Sequence, residues 1–280
     1  MNLSDWTFFM DGFEPLPCRA PCTMYSVLLE NGKIPDPFYG VNEQTLRHLG
    51  ERDCAFETEF TVDARDLEKE YQELEFSGLD TVCRILLNGS LVGRTKNMHR
   101  TYVFPVKDRL VPGKNTLRLE FSSPMAYFRE AQRRHYLYMN DGDTVPGTAH
   151  LRKAMFESGW DWAPTLPDMG ITRPVELRSF DGGRLERVLV SQKHRGGEVD
   201  VSVRADVICG SEYEVYVNLD GQRVRATAGE AVVHIEHPRL WWVRGYGEQP
   251  LYPLETELWV GGTCVDRKTM RIGLRTLTGS

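Results

Sequence analysis

Short runs in which apolar and polar residues alternate, each closed by a turn signal, recur along almost the whole chain. The runs FETEFTV (56–62), LEF (74–76), LRLEF (117–121), VDVSV (199–203), YEVYV (213–217) and VVHI (232–235) share this pattern. Successive side chains of a strand point to opposite faces, so a period of two gives one buried face and one wet face. That is the signature of antiparallel sandwiches. Asn88-Gly89, between RILL (84–87) and LVG (91–93), reads as a tight hairpin turn. Pro112-Gly113 and Asp220-Gly221 read the same way. Only two helices are expected, over 22–30, ended by Asn31-Gly32, and over 127–134. Nowhere do strands alternate regularly with helices, so a (β/α)8 barrel, which needs about 250 residues to itself, is excluded.

The fold class expected is therefore all-β. A boundary is expected at Asp181-Gly182-Gly183, after the strand PVELR (174–178). It separates a first domain over 1–181 from a second over 184–280, whose short strands and turns have the spacing of a β-sandwich. With 41% hydrophobic and 26% charged residues, the 280-residue chain can bury a core in each domain. A formal net charge of -6 argues against nucleic acid and anionic membrane as partners, and no apolar run is long enough to span a membrane. The opening MNLSDW lacks a basic region followed by an apolar run. A cytoplasmic setting with six reduced cysteines is the expectation. Cys18 and Cys22 have no second pair to complete a zinc site, and His135, His150 and His234 lack metal spacing. No phosphate-binding loop, dinucleotide fingerprint or G-x-S-x-G elbow occurs. Neither metal nor cofactor is expected.

The stretch RKAMFESGWDWAP (152–164) is the most informative. Trp160 and Trp162 flank Asp161, between a glycine and a proline that break regular structure. Aromatic faces can stack on the C–H faces of pyranose rings, while a carboxylate accepts hydrogen bonds from sugar hydroxyls. Judged on the residues alone, the favoured reading is that the two tryptophans pack a core while Asp161 caps a turn; the sugar-binding reading comes second. The aromatic segment from Trp241-Trp242 to Tyr252 could form a platform for sugar. His99-Arg100 could face a ligand or simply lie on the strand surface. Arg133-Arg134-His135 is too short for a nucleic-acid patch and reads as a solvated helix face.

The 152–164 stretch resembles the Phe-Gly-Trp-Asp-Trp-Gly-Pro signature of β-mannosidases in glycoside hydrolase family 2. Other segments agree along the chain: Trp6-Thr7-Phe8 in the opening strand, GKIPDPFYGVNE (32–43), LDT (79–81) through Asn88-Gly89, and Asn97-Met98-His99-Arg100 with Tyr102. Near the end, WW (241–242) with GYGEQPLY (245–252), and IGLRT (272–276), complete the match. Ser158, Ala163 and Val243 depart from the family's usual phenylalanine, glycine and proline. The resemblance implies a jelly-roll (galactose-binding-like) β-sandwich followed by an immunoglobulin-like β-sandwich, with the 241–252 aromatics buried in the second domain rather than exposed as a sugar platform. In that family a catalytic (β/α)8 barrel comes next and carries the two glutamates of retaining hydrolysis. They would lie beyond Ser280, so no catalytic residue is assigned here. Carried over by motif, Asp161 would accept hydrogen bonds from the terminal mannose, Trp160 would wall its pocket, and Asn42 would lie on a loop approaching it. Glu43 follows an asparagine, as the family's acid/base does, but lies far too early and is read as a loop or helix-start residue.

The function this implies is the non-catalytic N-terminal part of a retaining exo-β-mannosidase. It would be inactive alone and would shape the site for β-mannosides beside the barrel of the same polypeptide. The alternatives are a stand-alone carbohydrate-binding or scaffold protein, or a β-galactosidase or β-glucuronidase relative.

Overall fold

The computed structural model describes residues 1–138, 145–160 and 163–276. They divide into two units, Met1–Ser179 and Phe180–Ser280. Each is built of β-sheets around its own core, so the all-β sandwich class expected from the alternation is what the chain adopts.

In the first unit a six-stranded sheet runs in the order Leu16–Arg19, Asp5–Met10, Cys54–Val62, Gly113–Phe121, Val82–Leu87, Ser90–Lys96. A second sheet holds Val175–Phe180, Tyr71–Phe76 and Tyr102–Pro105. Their inner faces meet in one cluster that includes Phe8, Phe56, Leu74, Phe76, Ile85, Leu117 and Phe121, all at most 1% exposed. Phe56 is the hub, with ring centroids 5.1 Å from Phe8 and 5.7 Å from Phe121. Each such side chain contributes about 1.5–3 kcal/mol by leaving water.

A third sheet is small, built from three two-residue strands. Gly170–Ile171 lies between Cys22–Thr23 and Leu79–Asp80. A Cβ at position 170 would sit 2.6 Å from the Cys22 carbonyl oxygen and 2.7 Å from the Thr23 Cα, so only glycine lets these strands close. This pairing corrects the helix expected over 22–30. Cys22 and Thr23 are strand, and the helix is Met24–Glu30. The Thr23 amide donates to the Ser26 hydroxyl at 2.8 Å, which supplies its N-terminal cap. At the other end Gly32 takes a positive φ of 66°, as the glycine signal required. The second expected helix spans Pro124–Arg134, with Arg133 and Arg134 solvated beside Glu130.

In the second unit a three-stranded sheet (Arg184–Arg195, Glu198–Ile208, Glu230–Ile235) faces a four-stranded one (Gln222–Arg225, Tyr213–Leu219, Tyr252–Val260, Thr263–Ile272). Val199, Val201 and Val203 point inward from one sheet against Val217, Leu219 and Leu254 of the other.

Asn88-Gly89 and Asp220-Gly221 form two-residue hairpins with positive φ at both positions, 50° and 77° in the first, 51° and 73° in the second. Pro112-Gly113 does not. Gly113 opens a strand that pairs with Cys54–Val62 rather than with the strand before it. The buried Asn115 side chain organises that corner instead, bonding Val111 through both its backbone amide (3.0 Å) and its carbonyl (2.8 Å). The expected burial of the 241–252 aromatics is also corrected. Tyr252 is buried and Trp241 half-buried, but Trp242 is 44% and Tyr246 79% exposed, because 241–250 forms no strand whose alternate side chains would face the core.

Among the described residues no helix is long and apolar enough to cross a membrane, and no three or more His, Cys, Asp or Glu side chains group to hold a metal.

Candidate functional site

Two excursions from the first sandwich meet around one cavity. The first is the loop over 32–46. Its turn is set by Asp36, whose carboxylate accepts the Phe38 amide at 2.9 Å. Asn42 closes the loop: its side-chain amide donates to the Asp36 carbonyl at 2.8 Å, and its backbone amide to the Tyr39 carbonyl at 3.2 Å. Asn42 then starts a short helix, Asn42–Leu46, so Glu43 is a helix-start residue. Phe38, Tyr39 and Val41 are left pointing outward, 74%, 76% and 65% exposed.

The second excursion leaves at Lys153, makes the short turn Met155–Glu157, and forms the hairpin Ser158–Trp160 with Ala163–Thr165. Ser158 pairs with Thr165 and Trp160 with Ala163. Asp161 and Trp162, between these two strands in sequence, lie outside the described residues. The Leu166 amide donates to the Glu157 carbonyl at 3.0 Å, which closes the hairpin's base.

The two excursions are joined. The Thr165 amide donates to the Glu43 carboxylate at 3.0 Å. The structure thus brings the loop carrying Asn42 to the hairpin carrying Trp160, although 118 positions separate the two residues (160 less 42). It does not bring His99 or Arg100 into this group. Both are exposed, in the turn between Ser90–Lys96 and Tyr102–Pro105, where the Arg100 guanidinium lies 5.6 Å from the Tyr102 ring centre.

Between the excursions lies a cavity of about 420 Å³, within the range of small-molecule sites. Tyr25 and Leu29 of the Met24–Glu30 helix, Phe38, Phe156 and Leu166 give it apolar walls, and Ala163 and Pro164 of the hairpin form one side. Its polar lining is Thr23, Ser26, Thr172 and three acids, Asp80, Glu157 and Asp168. No motif or spacing groups these three acids. One cation sits among them. The Lys153 ammonium, with a side chain 2% exposed, pairs with both Asp80 and Glu157 and donates to the Asp168 carbonyl at 2.8 Å.

Burial sets the protonation of this group. It pushes the Glu157 carboxyl up to about 8, against the opposing pull of Lys153. It raises Asp168 to about 6, against bonds from the Thr23 side chain and from the Met169 and Tyr25 amides at 2.8 and 3.2 Å. Burial also works against the Lys153 charge, but the facing Asp80 and Glu157 outweigh it and hold the ammonium above its ordinary range. Asp80 and Glu157 pair with the ammonium, while the Asp168 carboxylate is taken up by the Met169 and Tyr25 amides.

The glycosyl hydrolase 2 galactose-binding domain-like family matches residues 6–173, and the glycosyl hydrolases family 2 domain matches residues 180–275. Beta-mannosidase B of Thermothelomyces thermophilus is 33% identical over 278 residues, covering 92% of this chain and 31% of that protein. The crystal structure of β-D-mannosidase from Dictyoglomus thermophilum superposes with a TM-score of 0.89 at 32% identity, over 98% of this chain and 36% of that one. The exo-chitosanase of Amycolatopsis orientalis, at 22% identity with a TM-score of 0.68 over 98% of this chain and 33% of that one, shares the fold. The chain spans about a third of the length of the relatives it matches.

Proposed function

The chain belongs to glycoside hydrolase family 2, and we propose that it forms the substrate-shaping N-terminal part of a retaining exo-β-mannosidase. Whole-chain likeness to β-mannosidases supports this, at 33% identity to one and a TM-score of 0.89 to another. The observation that carries it is local: the Trp160 hairpin and the Asn42 loop, distant in sequence, are hydrogen-bonded into one rim beside an apolar cavity. In this reading Asp161 accepts hydrogen bonds from hydroxyls of the terminal mannose, Trp160 walls the pocket, and Asn42 holds the loop that completes it.

The catalytic carboxylates belong to a following (β/α)8 barrel, and this chain alone does not turn over substrate. In support of a covered rim, Phe38 and Phe156 line the same cavity while 74% and 64% exposed, and Tyr39 and Val41, on the loop that carries Phe38, are 76% and 65% exposed. Lone exposed apolar residues are ordinary; a contiguous group marks an interface. The six cysteines are free, in keeping with the reducing, cytoplasmic setting we propose.

The test compares aryl β-D-mannoside, β-D-galactoside, β-D-glucuronide and β-D-glucosaminide hydrolysis by this chain and by a longer polypeptide carrying a family 2 barrel after it. Expected is no turnover by the chain and a preference for mannoside by the longer protein. Preference for another sugar overturns the assignment of specificity. Mannoside turnover by the purified chain alone, abolished by Glu43→Gln, overturns the non-catalytic reading.

A further inference from the structure

The position of the hairpin depends on how the two ends of the 153–168 excursion are held. Lys153 reaches acceptors from three separate places. Asp80 comes from the small sheet, Glu157 from the turn that begins the hairpin, and the Asp168 carbonyl, at 2.8 Å, from the point where the chain returns. An ammonium has three protons, so these three saturate it. The Asp80 side chain is 1% exposed and the Lys153 side chain 2%. A charge buried so deeply persists only when its partners fully satisfy it.

We infer that Lys153 is the positioning residue of the hairpin, holding Glu157 and the Asp168 carbonyl against Asp80 so that the hairpin's base is fixed beside the cavity. Its consequence for catalysis rests on the proposal that this hairpin faces the sugar. The clamp itself can be measured without that proposal.

The clamp has an internal titration. Three groups face Glu157 or its ammonium partner: Lys153 from the start of the excursion, Asp80 from the small sheet, and Asp168 from the return. Burial keeps the proton on Glu157 to about 8 while the hairpin base is closed, against 4.5 once it opens to water. Between these values the opened state sheds the proton first, so the base of the hairpin is tightest at the acid end and loosens as pH rises to about 8.

The experiment is hydrogen–deuterium exchange on the 280-residue chain. Protection of amides in Ser158–Trp160 and Ala163–Thr165 is compared with that in the core strand Gly113–Phe121. The variants are Lys153→Met, Glu157→Gln, and the uncharged triple Lys153→Met, Asp80→Asn, Glu157→Gln, which removes the stranded charges if the single change fails to fold. Charge-assisted bonds are worth about 1.5–3 kcal/mol each, so hairpin protection is expected to drop at least about tenfold in the folded triple, with the core strand unchanged. In the parent chain hairpin protection, taken relative to the core strand, falls as pH rises from about 4.5 to about 8 and levels off above it, and Glu157→Gln removes that pH step. Unchanged hairpin protection in the folded triple overturns the clamp. So does an equal fall in hairpin and core, or a pH step that survives Glu157→Gln. If the clamp holds but the same variants leave kcat/KM for mannoside normal in the longer protein, the sugar-facing reading of the hairpin is what fails.

Discussion

The carboxylate of Glu43 accepts the backbone amide of Thr165 at 3.0 Å, so the loop that begins at Gly32 and the hairpin that follows Lys153 are one structure. A residue whose sequence neighbourhood imitates a catalytic acid serves here as a tether between two parts of a rim.

Removing the tether has a specific expected outcome. Glu43→Ala should lower protection of the Thr165 amide by about tenfold, the effect of one hydrogen bond to a charged acceptor. Glu43→Gln keeps an acceptor oxygen and should lose less. Amide exchange read residue by residue checks this. Equal loss in both variants would mean that charge elsewhere in the loop, and not this bond, holds the hairpin.

The buried acids predict how stability varies with pH. In the folded chain Glu157 keeps its proton to about 8 and Asp168 to about 6. Their values free of the fold are 4.5 and 3.8, so the unfolded chain releases both protons earlier. Across those windows the native state holds protons that the unfolded state has lost, and stability falls as pH rises. These two groups are fully favourable only below the lower values and cease to add slope above about 8. Denaturation midpoints taken from pH 5 to 8.5 should decline with pH, and Glu157→Gln should flatten the curve between pH 6.5 and 8.5. An unaltered curve in that variant would contradict the assignment.

Much of the fold was legible because alternation reports burial directly. Val199, Val201 and Val203 read as inward-facing and are, and Asn88-Gly89 names its own turn type. What failed had no local signal. Cys22 and Thr23 pair with Gly170–Ile171, a partner almost 150 residues away, so helical propensity lost to tertiary pairing. Pro112-Gly113 carries the residues of a hairpin, but the side chain of Asn115 folds that corner from within. At the site, Trp160 and Asn42 could be singled out from their motifs. Lys153 could not, because its partners Asp80 and Asp168 are joined to it only by the small sheet, and the four-residue spacing to Glu157 looks like any surface pair.

Asn115 offers a test of the fold alone. Its side chain is buried and bonds Val111 twice, Gly113 at 3.0 Å and Asn88 at 2.8 Å. Asn115→Ala leaves several buried polar groups unpaired and should cost about 3 kcal/mol or more. Chemical denaturation monitored through the tryptophans measures it, and Asn115→Asp, which keeps only the acceptors, should fall between. A loss under about 1 kcal/mol would mean that water replaces the side chain in that corner.

The central claim, that the hairpin selects the sugar, is tested most directly by Asp161→Ala in a longer, active protein. Losing a charged partner for sugar hydroxyls costs about 1.5–3 kcal/mol per bond, so kcat/KM for aryl β-D-mannoside should fall at least about tenfold. The melting temperature, measured on the same preparation, should stay near that of the parent. A lowered melting temperature with normal kcat/KM in the folded fraction would make Asp161 a turn residue and contradict the account.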